Sequence, residues 1–141
     1  MNNRTFAIIK PDSYRNGNAD KIYNHIKNSG FKILAEKKLR MSLEQAHGFY
    51  AVHQDKPFFN ELTEFMSSGI CMVLALELDN AVETWRETIG ATDPRKAEVG
   101  TIRALYGTNV GENAVHGSDS DINAQKEISF FFSNEELEQN K

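Results

Sequence analysis

Residues 70–78 have the sequence Ile-Cys-Met-Val-Leu-Ala-Leu-Glu-Leu and form the most hydrophobic stretch of the chain. An apolar run of this length, preceded by Gly69 and followed by Asp79, predicts a buried β-strand in the centre of a sheet. The run is far too short to cross a bilayer, which takes about 20 apolar residues. We therefore expect the fold to be built around this strand.

A helix is predicted on each side of the central strand. The preceding helix spans residues 58–68, and its inward face consists of Leu62, Phe65 and Met66. The following helix is capped by Asp79 or Asn80 and ends at Gly90, and its inner face consists of Ala81, Val82, Trp85 and Ile89.

Two further strands are predicted nearer the N-terminus. Residues 5–9 form an apolar run that enters a loop at residues 10–12. Residues 31–39 show an alternation that places Phe31, Ile33, Ala35 and Leu39 on one face. A helix between these strands ends at Gly30, and a capping box formed by Ser42 and Gln45 begins another helix.

The C-terminal part begins with an irregular stretch. Residues 91–115 show little periodicity, which in a compact domain indicates a functional or disordered loop. A short strand near His116 and a helix follow, and the buried stripe of that helix consists of Ala124, Ile128, Phe131 and Phe132. The order of elements predicts an α+β fold with a ferredoxin-like sheet covered by helices, and it leaves the strand order open.

The composition is that of one globular domain, which we expect to span residues 1–141. The chain has 16 Lys and Arg against 20 Asp and Glu, and the net charge of −4 disfavours non-specific nucleic-acid binding. Cys71 is the only cysteine, which excludes an intramolecular disulfide and indicates a reducing compartment. The N-terminus has no long apolar stretch after its first cation, so we expect no secretory signal and a cytoplasmic location.

His116 is the strongest candidate for covalent chemistry. A neutral imidazole can carry a covalent intermediate when one ring nitrogen is free and a partner orients the other. Glu127 could be this partner, because it lies about two helical turns after Ser120, at the border of the apolar stripe. The alternative is a loop histidine and a solvated glutamate, and the spacing by itself favours that alternative.

Three cations lie at the ends of different predicted elements. Lys10, Arg86 and Arg103 could converge on a polyphosphate, where arginine offers bidentate contacts and lysine a point charge. Thr92 and Asn113 could add uncharged donors. The alternative is a set of scattered surface cations, which the sequence alone favours.

Two aromatic residues have a functional and a structural interpretation. Phe58, at the start of a helix, could be exposed and stack on a base, or it could be a hydrophobic staple. Tyr50 could donate a hydrogen bond in a site or simply cover the core. The sequence contains neither GxxxxGK[ST] nor GxGxxG, so the P-loop and the Rossmann phosphate cradle are excluded.

Residues 113–120, with the sequence Asn-Ala-Val-His-Gly-Ser-Asp-Ser, resemble the active-site signature of the nucleoside diphosphate kinases, N-x-x-H-G-S-D-[SA]. The similarity covers nearly the whole chain. Further blocks follow in the family's order at residues 5–12, 49–50, 56–59, 68–69, 90–94 and 100–103. The resemblance implies a ferredoxin-like, four-stranded antiparallel sheet covered by helices.

The resemblance also implies a reaction. The γ-phosphoryl group of a nucleoside triphosphate passes to a nucleoside diphosphate by a ping-pong mechanism through a phosphohistidine, with low base selectivity. The implied substrates are ATP, GTP, GDP, CDP, UDP and their deoxy forms. Mg²⁺ accompanies the nucleotide and is held mainly through its phosphates, so no residue is assigned as a metal ligand. A homo-oligomer, either a tetramer or a hexamer, is implied as well.

The family's catalytic residues match positions in this sequence. His116 matches the phosphorylated nucleophile, Glu127 the acid that orients its ring, and Ser118 the serine beside them. Tyr50 matches the tyrosine near the histidine. Lys10 matches a lysine that reaches the nucleotide during transfer.

The nucleotide-binding residues of the family are matched in the same way. Lys10 and Asn113 match the groups that reach the ribose hydroxyl and the phosphates. The phosphate clamp is matched by Arg86, Thr92 and Arg103. Phe58 matches the aromatic that stacks on the base, and Val110 is expected to line the other side of the base.

The chain departs from the family pattern at Asp20, Leu78 and Asp93, none of which matches a catalytic residue. It also stops soon after Leu137, without the longer tail of eukaryotic relatives, which leaves the oligomer size open. The sequence disfavours two other functions. A non-catalytic nucleotide-binding module is disfavoured because nucleophile, orienting acid and cations are all present. A nucleic-acid-binding protein is disfavoured by the acidic balance.

Overall fold

The computed structural model describes residues 3–138. Within them, the strands β1 (Arg4–Ile9), β2 (Lys32–Arg40), β3 (Ile70–Glu77) and β4 (Val115–Gly117) form a four-stranded sheet in the order β2-β3-β1-β4. Each neighbouring pair is antiparallel. This order, with helices between β1 and β2 and between β3 and β4, is the ferredoxin-like α+β arrangement. The predicted fold class is confirmed, with β3 as one of the two inner strands.

The helices of the described residues lie between and after these strands. They are α1 (Pro11–Arg15), α2 (Ala19–Asn28), α3 (Leu43–Phe49), α4 (Phe59–Met66), α5 (Ala81–Ile89), α6 (Ile102–Tyr106), α7 (Asp121–Phe131) and α8 (Asn134–Glu138). Short 3₁₀ turns occur at Ala51–His53 and Pro94–Lys96. Within residues 3–138, none of these helices has both the length and the apolar character needed to cross a membrane.

The sheet carries an apolar layer on each face, because the side chains of β1 alternate. Ala7 and Ile9 belong to the layer under α2 and α5, which contains Ile22, Ile26, Trp85 and Ile89. Phe6 and Ile8 belong to the opposite layer, under α3, α4, α7 and α8, which contains Ala46, Met66, Ile128 and Leu137. Strand β1 is therefore buried on both faces, which explains its continuous apolar sequence.

The predicted alternation of β2 is wrong. Ile33 pairs with Leu76 and Ala35 with Ala75, so Leu34 is an extra residue in a β-bulge. The bulge reverses the alternation of the strand. The expected common face is consequently split, with Phe31 and Ile33 in one layer and Ala35 and Leu39 in the other.

Two segments predicted as irregular contain helical turns. The segment at residues 10–12 does not form a loop, because α1 begins at Pro11, whose fixed φ suits the first helical position. Residues 91–115 contain a 3₁₀ turn capped by Asp93 and the helix α6 capped by Thr101. Elements of three to five residues are too short to show a hydrophobic period, so the sequence pattern missed them.

The start of α3 and the end of α5 agree with the prediction, whereas the helix predicted over residues 58–68 is shorter, at Phe59–Met66, and Phe132 lies beyond the end of α7. Ser42 Oγ accepts from the Gln45 backbone N–H at 3.0 Å, and Gln45 Oε1 accepts from the Ser42 N–H at 2.9 Å, which completes the capping box. Helix α5 ends at Gly90, which has φ +85°, and a Cβ at this position would lie 2.6 Å from Thr101 Oγ1. Only glycine fits there without strain, so α5 stops where the sequence indicates.

Candidate active site

Strand β4 carries His116, and its backbone is held from several directions. In the sheet, His116 pairs with Ile8 of β1. The carbonyl oxygens of residues 114, 115 and 116 accept from side chains: Ser13 Oγ at 2.9 Å, Arg103 Nη2 at 2.9 Å and Trp85 Nε1 at 3.1 Å, respectively. Side-chain donors from three separate helices therefore fix the strand that presents the histidine.

The imidazole of His116 contacts a carboxylate. Its Nε2 lies 2.8 Å from Glu127 Oε1, and Ser118 Oγ donates to the same oxygen at 2.7 Å. Glu127 reaches this position because α7 begins at its N-cap Ser120 and turns about twice before residue 127. Within residues 3–138, Nδ1 of His116 makes no hydrogen bond. One ring nitrogen is thus engaged and the other is available for chemistry.

Aromatic rings surround one side of this imidazole. The ring centroids of Phe6, Phe49 and Tyr50 lie 6.0, 5.6 and 6.4 Å from that of His116, each in an edge-on arrangement. The Tyr50 hydroxyl is buried and has no hydrogen-bond partner in residues 3–138. Burial, together with the charge of Glu127, raises the pKa of Tyr50, so its hydroxyl keeps its proton and can donate it in a hydrogen bond.

Lys10 and Asn113 form a buried polar pair beside the strand ends. Lys10 Nζ donates to Asn113 Oδ1 at 2.8 Å, and Asn113 Nδ2 donates to the carbonyl of Thr92 at 3.0 Å. Burial, and to a smaller degree the charge of Arg103, lowers the pKa of Lys10 to about 8, while Asp12 opposes this shift. The ammonium therefore retains most of its charge at neutral pH, but the negative charge of Asp12 only partly offsets the cost of burying it.

Arg103 links this pair to an open cleft. Its Nη1 donates to the Gly90 carbonyl at 3.1 Å, and its buried Nε has no partner in residues 3–138. Burial, followed by the charge of Arg86, lowers the pKa of Arg103 to about 10, so the guanidinium is charged at neutral pH. The cleft has a volume of about 800 Å³ and is lined by Arg86, Thr92, Lys96 and Arg103, among others. Three cations, two hydroxyl groups and two carboxylates thus line a space large enough for a polyphosphate, and His116 is not among its lining residues.

Phe58 and Val110 lie apart from these groups. Phe58 is 47% exposed at the start of α4 and is therefore not a packed hydrophobic staple, and its ring lies 5.6 Å from that of His53. Val110 is 52% exposed in the turn at residues 108–112, which an ion pair between Arg15 and Glu112 ties to α1. Within residues 3–138, no hydrogen bond or ring contact joins Phe58 or Val110 to the other candidate residues.

Three residues that contact the site were not predicted as part of it. Trp85 was expected only as a core residue, yet its indole N–H binds the His116 carbonyl. Asp12 and Ser13 bind the backbone of Ala114, although the sequence places them about 100 positions earlier. No periodicity reports such contacts between a side chain and a distant backbone group. The available signals were that Asp12 and Ser13 follow Lys10-Pro11 and that Asp12 closes the family-like block at residues 5–12.

Comparison with known proteins agrees with this geometry. The family model described as "Nucleoside diphosphate kinase" matches residues 3–137. The nucleoside diphosphate kinase of Persephonella marina is 54% identical over 134 residues, which are 95% of this chain and 96% of that protein. The corresponding protein of Desulfotalea psychrophila is 53% identical, with 95% and 98% covered.

Solved structures give the same result. The Aquifex aeolicus nucleoside diphosphate kinase superposes with a TM-score of 0.92 at 46% identity, covering 95% of this chain and 97% of that one. The Halobacterium salinarum nucleoside diphosphate kinase, solved in complex with CDP, superposes with a TM-score of 0.90 at 38% identity, covering 96% and 91%. The match of the family model and the similarity in sequence and fold to these proteins show that this chain belongs to the nucleoside diphosphate kinase family.

Proposed function

We propose that this chain transfers the γ-phosphoryl group of a nucleoside triphosphate to a nucleoside diphosphate, in two steps, through a phosphohistidine at His116. The observation that carries the proposal is the 2.8 Å contact between His116 Nε2 and Glu127, which leaves Nδ1 without a partner in residues 3–138. A carboxylate accepts hydrogen bonds, so Nε2 carries the ring proton and Nδ1 carries the lone pair. Membership of the family supports the same reaction.

In the first step, the Nδ1 lone pair of His116 forms a bond to the γ-phosphorus. The bond from that phosphorus to the oxygen bridging the β-phosphate breaks, and the nucleoside diphosphate leaves with the electron pair. The positive charge that develops on the imidazole is stabilised by Glu127, which stays bound to Nε2–H. In the second step, an oxygen of another diphosphate attacks the same phosphorus and the N–P bond breaks. No net proton transfer is needed in either step.

The cations supply the stabilisation that this transfer needs. Phosphoryl transfer has a loose transition state rich in negative charge, so catalysis comes mostly from positioning and electrostatics. Arg86 and Arg103 line the cleft. Lys10 binds Asn113, whose amide donates to the carbonyl of Thr92, another lining residue. In this proposal the two arginines and Thr92 hold the phosphates, while Lys10, Asn113 and Tyr50 donate to the transferring group or the ribose.

Phe58 and Val110 are proposed to hold the base between them. An exposed aromatic ring can stack on any base, and such stacking contributes about 1–3 kcal/mol without reading the base edge. Phe58 is available for this contact because nearly half of its surface is exposed. Low selectivity among ATP, GTP, GDP, CDP, UDP and the deoxy forms follows from this mode of binding.

Mg²⁺ is proposed to accompany the nucleotide. Residues 3–138 contain no cluster of three or more His, Cys, Asp or Glu side chains suited to a metal ion. The cleft presents three cations, two hydroxyl groups and two carboxylates, those of Glu87 and Glu98. This donor set fits a metal ion held by nucleotide phosphates and water, which is a common arrangement for Mg²⁺. When bound, the ion neutralises phosphate charge.

The remaining properties are inferred from the family and the sequence. We propose a single domain over residues 1–141, a cytoplasmic location and a homo-oligomer that is either a tetramer or a hexamer. The buried, free thiol of Cys71 agrees with a reducing compartment.

The test is direct labelling. The protein is incubated with γ-labelled ATP and Mg²⁺, and acid-labile, base-stable label is measured on the chain before and after a chase with GDP, CDP or a deoxynucleoside diphosphate. We expect label to form and to move to any diphosphate. His116→Ala should abolish labelling while its far-UV circular dichroism matches that of the wild type. A wild-type protein that binds nucleotide and never becomes labelled would instead be a non-catalytic binding module.

A further inference from the structure

Ala114 adopts a backbone conformation that is unusual for its residue type. Its φ of +77° lies in the left-handed region, and apart from glycines only Asn80 shares a positive φ within residues 3–138. A non-glycine residue in this region is strained, because its Cβ crowds the backbone. Ala114 is fully buried and lies between Asn113 and the start of β4. The strain therefore falls at the joint between the Lys10–Asn113 pair and the strand of His116.

The start of α1 holds this joint. Asp12 Oδ2 accepts from the Ala114 N–H at 3.1 Å. On the other side, the Ala114 carbonyl accepts from the Lys10 N–H at 2.9 Å and from Ser13 Oγ at 2.9 Å. Both polar groups of Ala114 are thus paired with one short segment, and Asp12 supplies the only acceptor for its N–H among residues 3–138.

The burial of the Asp12 carboxyl group costs folding free energy. None of its surface is exposed, and its Oδ1 has no hydrogen-bond partner in residues 3–138. Burial raises the pKa of Asp12, while Lys10 and the Ala114 N–H oppose this shift. A buried carboxylate with one unsatisfied oxygen is unfavourable for folding, so a role elsewhere has to account for it.

We infer that Asp12 is a positioning residue for phosphoryl transfer, because it fixes the strained backbone of Ala114 and thereby sets Lys10 and Asn113 relative to the nucleophile. The inference rests on the proposed function. Lys10 Nζ binds Asn113, whose backbone continues through Ala114 into the strand of His116. If Ala114 leaves the left-handed region, the chain direction at this joint changes, and the Lys10–Asn113 pair shifts relative to His116.

This mechanism predicts a specific kinetic signature. Phe58 and Arg86, which are proposed to hold the base and the phosphates, make no hydrogen bond with residues 113–115 among the described residues. Arg103 binds the Val115 carbonyl, so KM should change, but less than kcat. Transfer depends on alignment, and a small displacement of a reacting or stabilising group can lower the rate about a hundredfold. We therefore expect Asp12→Ala to lower kcat and the single-turnover labelling rate about 10- to 100-fold, with KM within about threefold of the wild type.

Two variants separate geometry from charge. Asp12→Asn removes the charge but keeps an acceptor for the Ala114 N–H, so its labelling rate should stay within about threefold of the wild type. Asp12→Glu keeps the charge but moves the carboxylate by one methylene, so it should be impaired, and it replaces Asp12→Ala if that variant does not fold. If Asp12→Asn loses as much activity as Asp12→Ala or Asp12→Glu, the inference is wrong.

The decisive experiment is rescue. Glycine adopts φ +77° without strain, so Ala114→Gly should make the joint less dependent on Asp12. Asp12→Ala should lower the labelling rate by a certain factor when residue 114 is alanine, and by a factor about ten times smaller when it is glycine. This difference corresponds to the strain that glycine removes. An equal loss in both backgrounds would overturn the inference.

The outcome also distinguishes this inference from the proposed function. If the wild type is not labelled at His116, the proposed function itself fails. If the wild type is labelled and a folded Asp12→Ala is labelled at the same rate, only the positioning role fails. Ser13→Ala is the matched control, because it removes one of two donors to the Ala114 carbonyl and leaves the Lys10 N–H in place. Its loss should be smaller than that of Asp12→Ala.

Discussion

His116 Nε2 lies 2.8 Å from Glu127 Oε1, and this single contact determines that Nδ1 is the ring nitrogen left without a hydrogen-bond partner among the described residues. It orients the ring from α7, an element that the sequence separates from the strand of His116 by a turn. Because Ser118 donates to the same carboxylate oxygen, the carboxylate is itself held in place.

Glu127→Gln should slow phosphorylation of His116 more than it weakens nucleotide binding. The amide can still accept from Nε2–H but no longer offers a negative charge to the developing imidazolium. We expect the single-turnover labelling rate to fall about a hundredfold while the nucleotide dissociation constant changes much less. Ser118→Ala, which removes only one hydrogen bond to the carboxylate, should have a smaller effect. Equal labelling rates in Glu127→Gln and the wild type would mean that the charge of Glu127 does not stabilise the transfer.

Phe58→Ala should weaken the binding of all nucleotides by a similar factor. Loss of a stacked ring removes about 1–3 kcal/mol of binding, which corresponds to a rise in KM of about 5- to 150-fold. Thermal unfolding should hardly change, since the ring is 47% exposed. Phe58→Trp keeps an aromatic face and serves as the control. A KM that rises for purine nucleotides and not for pyrimidine nucleotides would argue against simple stacking.

The buried ammonium of Lys10 should make stability depend on pH in a defined window. Burial lowers its pKa in the folded protein to about 8, from an ordinary value of 10.5. Between these two values the unfolded chain binds more protons than the folded protein, so this group makes the free energy of unfolding rise with pH. We expect the stability of the wild type relative to Lys10→Met to increase between pH 8 and 10.5, by on the order of 3 kcal/mol. A stability difference that is flat across this window would contradict the lowered pKa.

Gly90→Ala should destabilise the protein more than Gly100→Ala. Both glycines have a positive φ, of +85° and +91°, so both substitutions add backbone strain. Only at Gly90 would the new methyl group also collide with Thr101, whereas nothing lies within 4 Å of the position at Gly100. We expect the free energy of unfolding, from urea titration, to fall about 1–3 kcal/mol further for Gly90→Ala. Equal losses would mean that Thr101 moves aside without cost.

The sequence reveals the elements of this fold wherever a long apolar pattern exists. The central strand at residues 70–77 and the inner face of α5 were predicted because burial leaves a continuous or periodic signature. The bulge at Leu34 could not be predicted, because one inserted residue moves the following side chains to the opposite face of the sheet without changing the composition of the strand. The five-residue helices α1 and α6 are shorter than the period that would reveal them.

The candidate site was predictable to a similar degree. Helical spacing allows Glu127 to face His116 but does not favour this pairing over a solvated glutamate. Only the signature at residues 113–120 favours it. The contacts of Asp12 and Trp85 with the backbone of β4 join segments that only the folded sheet brings together. Such contacts depend on the strand order, which the pattern of elements left open.

The indole of Trp85 gives the protein an internal optical reporter. It is the only tryptophan in the sequence, and its N–H is bound to the carbonyl of the histidine proposed to carry the phosphate. Arrival of a doubly charged group on that residue would alter the electric field at the excited indole. Emission intensity at a single wavelength could then follow the filling and emptying of His116 in real time, with no dye or isotope attached.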